Sequence, residues 1–193
     1  IVDGTHKVIK VDAPDTKGNY IGSAYEYDGQ TFGDLLDVLN YIDASLSLAN
    51  AVAVAEKETD TTPTEKQKEA GNYKKGHVQV GTFNITIENP KGSVRSGIDT
   101  EGNKWETTMQ NTYSYIRGTE GVDGDHIDVF LSDDIDGWNG RKVFVVDQYN
   151  EDGTFDEHKV MLGFNEADAA EAAYFANYDR NWAKKHKTVL TGV

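Results

Sequence analysis

The chain has no cysteine and only three prolines among its 193 residues. Without cysteine it has no disulfide scaffold, no thiol nucleophile and no cysteine-based zinc site. Long apolar runs are also missing, because the most apolar stretch, residues 38–55, is interrupted by Asn40, Asp43 and Asn50. That stretch predicts an amphipathic helix instead of a membrane span. No signal-peptide pattern is visible, which indicates a cytoplasmic protein.

Positive charge is also scarce. The chain has 19 lysines and arginines against 33 aspartates and glutamates, for a net charge of −14. Sequence-independent binding of nucleic acid through its phosphates needs a basic surface, so the net charge argues against this function. A small polyanion is not excluded, since divalent metals between it and the carboxylates would invert the local field. No G-x-G-x-x-G or Walker pattern is present, which argues against a nucleotide-binding α/β fold.

The length allows one ordinary core and a small second module. We predict an acidic N-terminal extension, residues 1–62, followed by a domain over residues 63–193. The extension would contain strands at Val8–Val11 and Tyr20–Tyr27 and one amphipathic helix, and residues 56–68 would be a polar linker. The predicted helix has apolar residues at helical spacing: Leu35, Leu39, Ile42, Leu46 and Ala49.

In residues 63–193 apolar and polar residues alternate, which is the two-residue period of β-strands. Six short strands are predicted: His77–Val80, Phe83–Glu88, Trp105–Met109, Ile127–Leu131, Lys142–Asp147 and Lys159–Phe164. Turns are expected at residues 99–103 and 151–153. The pattern predicts a mainly β (α+β) fold, with a small closed barrel of five or six antiparallel strands. A C-terminal helix should follow at residues 167–176, with Asn165 as its cap.

Three carboxylates lie within six residues, at Asp123, Asp125 and Asp128. Gly124 allows a turn in which the first two could face one point, and Asp128 would begin an extended run. Carboxylate oxygens without histidine or cysteine suit Mg²⁺, Mn²⁺ or Ca²⁺. The alternative is a solvated acidic turn before a strand, because turns favour aspartate and glycine.

The sequence around this cluster resembles a known family. Residues 113–119, Tyr-Ser-Tyr-Ile-Arg-Gly-Thr, and residues 123–129, Asp-Gly-Asp-His-Ile-Asp-Val, are similar to the signature of family I soluble inorganic pyrophosphatases. Residues 85–90 resemble the strand in which that family places a glutamate, and residues 156–160 resemble its acidic-x-Lys segment. The phrases GNYKKGH, IENPKG and FDEHKVMLGF are closer still to the pyrophosphatase-like domain of phage polyvalent proteins. The resemblance extends from about residue 64 to residue 178.

The resemblance implies an OB-like barrel and Mg²⁺-dependent hydrolysis of pyrophosphate, with Mn²⁺ as an alternative metal. The implied metal ligands are Asp123, Asp125 and Asp128, completed by Asp147 or Glu157. Asp128 would orient or deprotonate the attacking water. The other implied site residues are Glu88, Tyr113, Arg95 and Lys159, with Lys104 or Arg117 in place of the family's arginine.

Several of these residues have competing interpretations. Lys159 could be an exposed lysine at a strand start, and Asp156 competes with Glu157. Asp152 competes with Asp147, although aspartate is ordinary in a turn. His126 replaces the family's proline and is either an extra metal or phosphate contact or a solvated turn residue.

Two functions of other classes stay open at this point. One is a catalytically inert, metal-stabilised binding domain, and the other is an interaction module of a phage-derived protein. In the second case the acidic residues 1–62 would bind a protein partner. The sequence leaves the oligomeric state open, and it predicts a small phosphoanhydride substrate, with no nucleic acid and no membrane as partner.

Overall fold

A computed structural model describes residues 9–14, 20–98, 102–179, 182–183 and 188–192. The chain divides into two compact units, residues 1–50 and residues 51–193. Among the described residues, none of the helices has the length and apolar character needed to cross a membrane.

The first unit contains a three-stranded antiparallel sheet and a helix. Its strands β1 (Ile9–Pro14), β2 (Tyr20–Tyr27) and β3 (Gln30–Phe32) pair in that order. The prediction of Tyr20–Tyr27 is confirmed. The other predicted strand, Val8–Val11, is observed from Ile9 and continues to Pro14, and residue 8 lies outside the described residues. Helix α1 (Leu35–Leu46) begins where the Asp34 side chain accepts a 2.9 Å hydrogen bond from a backbone amide of the first turn. The prediction of one continuous helix is wrong. Helix α1 ends at Leu46, and after residue 47 a second helix, α2 (Leu48–Glu58), begins.

The second unit contains most of α2 and all later elements. In chain order these are α3 (Glu65–Ala70), β4 (His77–Val80), β5 (Phe83–Asn89), β6 (Val94–Ile98), β7 (Lys104–Thr108), β8 (Tyr113–Ile116), β9 (Asp128–Leu131), a 3-10 turn (Ile135–Gly137), β10 (Phe144–Tyr149), β11 (Phe155–Leu162), α4 (Ala167–Ala176) and β12 (Thr188–Gly192). Seven strands form one sheet in the order β12-β10-β11-β9-β8-β5-β4, and β6 and β7 form a separate hairpin.

The mainly β, α+β prediction is confirmed, but two details of the predicted barrel are wrong. Among the described strands the order is open, with β4 and β12 at its ends. The sheet is also not wholly antiparallel, since β9 and β11 pair in parallel. The reason is topological: after β9 the chain passes to β10, which forms a hairpin with β11 and so returns β11 in the direction of β9. The first of the two predicted turns, residues 99–103, is described only in part, because residues 99–101 lie outside the described residues.

Residues 56–68 are not a simple linker. Thr64 begins α3 with a capping box, in which its hydroxyl accepts from the Gln67 amide at 3.4 Å and its own amide donates to the Gln67 side chain at 3.0 Å. Helix α2 packs closely on the segment before β4, because a Cβ on Gly76 would lie 1.8 Å from the Ala55 carbonyl oxygen. Thr59 adds a hydrogen bond of 2.9 Å from the Gly76 amide.

A truncation series tests the predicted boundary between residues 62 and 63. A chain that begins at Ala51 keeps the buried Val52 and Ala55 and the bond from Thr112 to Glu56. A chain that begins at Pro63 loses all of them, so we expect its free energy of unfolding to be lower by at least about 2 kcal/mol, the scale for burying one aliphatic side chain. Urea denaturation measures the difference. Equal stability of the two chains would support the 62/63 boundary.

Helix α4 covers one face of the large sheet. Its bounds, residues 167–176, confirm the prediction. The predicted cap is wrong: Asn165 instead bridges the 3-10 turn, where it donates to the Gly137 carbonyl at 2.8 Å and accepts from the Asn139 amide at 3.1 Å. The core beneath α4 contains Met109, Tyr113, Phe130, Phe144, Val146, Met161, Phe164, Ala170 and Tyr174. Tyr113 of this core also accepts a hydrogen bond from Lys159, the centre of a buried polar cluster.

Candidate active site

One face of the large sheet carries a row of cross-strand partners from β4 to β10. Directly opposed residues on neighbouring strands project to the same face, so a row of partners shares one surface. The row is His77, Thr86, Tyr115, Asp128, Lys159 and Val146. Tyr113, which opposes Phe130, projects to the same face. Val129, the next residue along β9, projects to the opposite face from Asp128.

Lys159 is the centre of the polar cluster. Its side chain is only 3% exposed, and its ammonium donates to Glu157 Oε2 at 2.7 Å, to the Tyr113 hydroxyl at 3.1 Å and to Asp128 Oδ2. A buried charge is tolerated only when it is paired and hydrogen-bonded, and these three partners meet that need. The alternative of an exposed strand-start lysine is therefore wrong.

The surroundings keep this lysine charged. Burial by itself lowers the pKa of Lys159, but the facing acidic groups of Tyr113, Tyr178, Asp128 and Glu157 outweigh it and hold the pKa well above its usual value. For Glu157, burial raises the pKa, and the nearby Lys159 opposes that rise only in part. The cluster thus presents a permanent ammonium beside a carboxyl group that is more easily protonated than usual.

The Tyr113 hydroxyl joins a second cation to the cluster. It accepts hydrogen bonds from Arg95 Nη2 at 3.2 Å and from Lys159, and it donates to Asp128 Oδ2. One proton and two lone pairs are all that a phenol offers, so these three bonds saturate it. Burial raises the pKa of Tyr113, against the lowering effect of Lys159 and Arg95, and the phenol stays protonated.

A β-bulge brings two carboxylates beside Gln148. The register of β10 and β11 shifts after Gln148, so both Asp156 and Glu157 reach its amide, at 2.7 and 3.2 Å. Gln148 is buried and accepts a 2.8 Å bond from the Tyr174 hydroxyl. Sequence reasoning missed Gln148 and Tyr174. A glutamine within the alternating apolar pattern of β10 was the available signal, because a buried amide needs polar partners.

Tyr178 lies next to the two cations. Its ring centroid is 6.2 Å from that of Phe130 and 4.7 Å from that of Tyr174. Its hydroxyl is buried and has no hydrogen-bond partner among the residues that the structure describes. Burial raises its pKa, while Lys159 and Arg95 lower it. A buried hydroxyl of this kind beside two cations is suited to bind a ligand oxygen.

Glu88 is paired with a lysine that the sequence did not single out. It is the extra residue of a bulge between Ile87 and Asn89. Its carboxylate accepts from Lys75 at 2.6 Å, and the same ammonium lies 4.7 Å from the centre of the Tyr73 ring and 5.1 Å from that of Tyr115. Burial lowers the pKa of Lys75, but Glu88 and the two tyrosines raise it overall.

The first two aspartates of the acidic motif lie in an exposed loop. Asp123 Oδ1 accepts from the Asp125 amide at 3.1 Å, and Gly124 takes a φ of 88°, which favours glycine. The ring of His126 stacks on Tyr115 at 4.7 Å, and its Nδ1 lies 2.6 Å from the Thr119 carbonyl oxygen. These contacts organise the loop, and the metal or phosphate role of each residue stays a prediction.

Three other predicted residues lie away from the cluster. Asp147 opposes His158 and pairs with it at 2.7 Å on the other face of the sheet from Lys159, since strand residues alternate between faces. Lys104 opposes Ile98 and so projects from the face of the β6–β7 hairpin opposite to Arg95. Arg117 is exposed at the end of β8.

Asp152 takes part in a turn. It accepts from the amide and hydroxyl of Thr154 at 2.9 and 2.6 Å, and these bonds lower its pKa. This geometry agrees with the ordinary turn role that the sequence offered as its alternative.

The carboxylates suit a hard divalent cation in their chemistry, because they offer only oxygen ligands. In the described part of the chain, however, no three acidic or histidine side chains form a group that could hold a metal ion. Asp128 and Glu157 face each other across the Lys159 ammonium instead. The predicted convergence of Asp123, Asp125 and Asp128 on one ion therefore stays a prediction.

The buried Lys159 and the half-buried Arg95 meet at a shared tyrosine beside a carboxylate, an arrangement whose chemistry suits a phosphate group. The comparison with protein families specifies the class further. Residues 65–193 match the family model described as Inorganic Pyrophosphatase, so this chain belongs to the inorganic pyrophosphatase family.

The similarity of this chain to solved structures is weaker. An inorganic pyrophosphatase from Coxiella burnetii is 17% identical with a TM-score of 0.31, over 60% of this chain and 89% of the other. A protein described as an inorganic phosphatase from Anaplasma phagocytophilum is 14% identical with a TM-score of 0.30, over 61% of this chain and 82% of the other. No curated protein matches this chain.

Proposed function

We propose that this protein hydrolyses inorganic pyrophosphate to phosphate at the cluster around Lys159. The observation that carries the proposal is the meeting of two cations, Lys159 and Arg95, at the Tyr113 hydroxyl beside Asp128. Such a pair neutralises the charge of a phosphate group, and family membership points to pyrophosphate as the substrate.

Lys159 and Arg95 have distinct roles in this proposal. Lys159 supplies a fixed point charge, and Arg95 supplies a planar fork that can bind two phosphate oxygens. The Tyr178 hydroxyl donates to a third oxygen, which would satisfy its own hydrogen-bonding capacity. Charge that develops on the phosphate oxygens in the transition state is thereby stabilised by groups already in position.

Asp128 accepts the proton of the attacking water. The Tyr113 hydroxyl and the Lys159 ammonium both bond to its Oδ2 and fix the orientation of the carboxylate. We assign Oδ1 to the water, because a general base must lie within hydrogen-bond reach of the proton that it removes.

Mg²⁺, with Mn²⁺ as an alternative, is the proposed cofactor. The residues that would hold it are Asp123, Asp125 and Asp128, with Glu157 or Asp147 completing the set. When bound, the ion would lower the pKa of a coordinated water and neutralise phosphate charge. Asp147 is the weaker candidate, because it projects from the opposite face of the sheet from Lys159.

Phosphate release measured from pyrophosphate, tripolyphosphate and nucleoside triphosphates, each with Mg²⁺, Mn²⁺ or a chelator, tests substrate and cofactor together. We expect release from pyrophosphate with Mg²⁺ and its loss with the chelator. Absence of release from every substrate, with the protein folded, would leave the catalytically inert binding domain as the better interpretation.

We expect Mg²⁺ or Mn²⁺ at millimolar concentration to raise the melting temperature. The ion binds the folded state and relieves repulsion among Asp123, Asp125 and Asp128, so its binding free energy adds to stability. Thermal unfolding with and without metal measures the shift, and the triple asparagine variant should lose it. An equal shift in that variant would assign the metal to other residues.

One finer assignment rests on sequence similarity alone. The phrases around residues 71–77, 87–92 and 155–164 support placement of the chain with the pyrophosphatase-like domains of phage polyvalent proteins. A cytoplasmic location and a protein partner for the acidic residues 1–62 also belong to this proposal. A pull-down with residues 1–62 tests the partner.

A further inference from the structure

We infer that Trp105 is a positioning residue for Arg95, the cation of the candidate site that comes from the β6–β7 hairpin. The guanidinium carbon of Arg95 lies 4.3 Å from the centre of the Tyr113 ring and 5.4 Å from that of the Trp105 ring. Arg95 thus contacts two aromatic rings, one on each element that borders it. The inference rests on the proposed function only in treating Arg95 as a substrate-binding group.

Aromatic rings attract a guanidinium through their negative faces, and the attraction grows where the cation is partly desolvated. Arg95 is half-buried and donates a single described hydrogen bond to the Tyr113 hydroxyl, at 3.2 Å. One such bond fixes one corner of the fork and leaves the long side chain free to rotate. The second ring removes that freedom, so the guanidinium is held at the Tyr113 hydroxyl before substrate arrives.

Gly97 explains why the indole can reach Arg95. Gly97 is the cross-strand partner of Trp105, and Arg95 lies two residues before it on the same face of the hairpin. A Cβ built on Gly97 would lie 2.6 Å from Trp105 Cζ2 and 2.8 Å from Cε2. The ring therefore occupies the space that any other side chain at residue 97 would take. Trp105 is nevertheless 38% exposed, so burial alone does not account for a tryptophan at this position.

The test compares Trp105→Leu, Trp105→Phe and a matched control, Trp138→Leu. Trp138 also packs over a glycine, at 3.6 Å from a Cβ built on Gly81, but it lies in the loop before β10. In Trp105→Leu we expect KM for pyrophosphate with Mg²⁺ to rise about tenfold, the scale of a partly desolvated cation–π contact, with kcat changed much less. Trp105→Phe should recover part of this loss, and Trp138→Leu should keep the wild-type KM.

A second readout does not depend on activity. The side-chain protons of Arg95 should resonate upfield in wild-type NMR spectra, because they lie against aromatic rings. In Trp105→Leu, and in Gly97→Ala where the indole must move, these resonances should shift toward those of a free arginine. A structural defect alone would lower the fraction of folded enzyme, hence apparent kcat and melting temperature, and would leave KM unchanged.

Unchanged Arg95 resonances together with an unchanged KM in folded Trp105→Leu would overturn the inference. If the wild-type protein releases no phosphate from pyrophosphate, the proposed function fails, and the resonances of Arg95 together with calorimetric binding of pyrophosphate still decide the role of Trp105. The two failures are therefore distinguishable.

Discussion

Replacement of Lys159 by methionine is expected to lower the free energy of unfolding by about 3–5 kcal/mol, the cost of removing one partner from a buried ion pair. The substitution leaves Asp128 and Glu157 facing each other without the ammonium between them, in a site where their side chains are 18% and 24% exposed. Urea denaturation at neutral pH measures the loss. Lys104→Met is the matched control, because Lys104 is exposed and its contribution should be near zero.

The pH dependence of this effect has a definite sign. Because the folded state raises the pKa of Lys159, its contribution is fully present below the ordinary pKa of lysine. This contribution to stability is lost as pH rises through the raised pKa that Lys159 has in the folded state. The difference between wild type and Lys159→Met should thus stay constant across neutral pH and narrow only under alkaline conditions. A double variant that also carries Asp128→Asn should recover part of the lost free energy of unfolding. If the losses of the two single variants simply added in the double variant, the pairing of Lys159 with Asp128 would be contradicted.

Asp128→Asn is expected to lower phosphate release by about two or more orders of magnitude, the scale of general acid–base effects. Asparagine keeps the shape and one oxygen acceptor, but it cannot take a proton from water. Steady-state release from pyrophosphate at saturating Mg²⁺ measures the change. Turnover and specificity constant should fall together, because the proton transfer belongs to the transition state.

Asp147→Asn is the control for this prediction. The chemical change is the same, and the residue projects from the opposite face of the sheet, where it pairs with His158. Because Asp147 is the weaker candidate for completing the metal site, we expect a far smaller loss of turnover from it than from Asp128→Asn. A large loss in Asp147→Asn with nearly normal release from Asp128→Asn would reverse the assignment of the two aspartates.

The sequence predicted those parts of the fold that depend on local patterns. Strand β4 and helix α4 have the predicted bounds, because alternation and an alanine-rich run each determine a local structure. The capping box at Thr64 was equally local and was overlooked. Strand β12 was not predicted at all, and its pairing with β10 joins residues far apart in the chain.

The site was only partly predictable for a related reason. Similarity to a family singled out Tyr113, Asp128, Glu157, Arg95 and Lys159, which the structure brings together. Asp147 and Lys159 project from opposite faces of the sheet because of the register between β10 and β11. Register is a property of the sheet and not of one strand, so it could not be read from the sequence of β10 alone. Gln148 and Tyr174 were missed because their partners are brought close by a bulge and by a helix packed across the sheet.

The parallel pairing of β9 with β11 also makes assembly of the site a non-local folding event. Asp128 and Lys159 are direct partners in that pairing, although 31 residues separate them in the chain. A parallel partner cannot form through a tight turn, so this contact needs a non-local pairing across the strand that intervenes in the chain, β10, which itself forms a hairpin with β11. We therefore expect refolding chains to gain the Lys159–Asp128 contact late, and under the proposed function phosphate release would report completion of the central sheet.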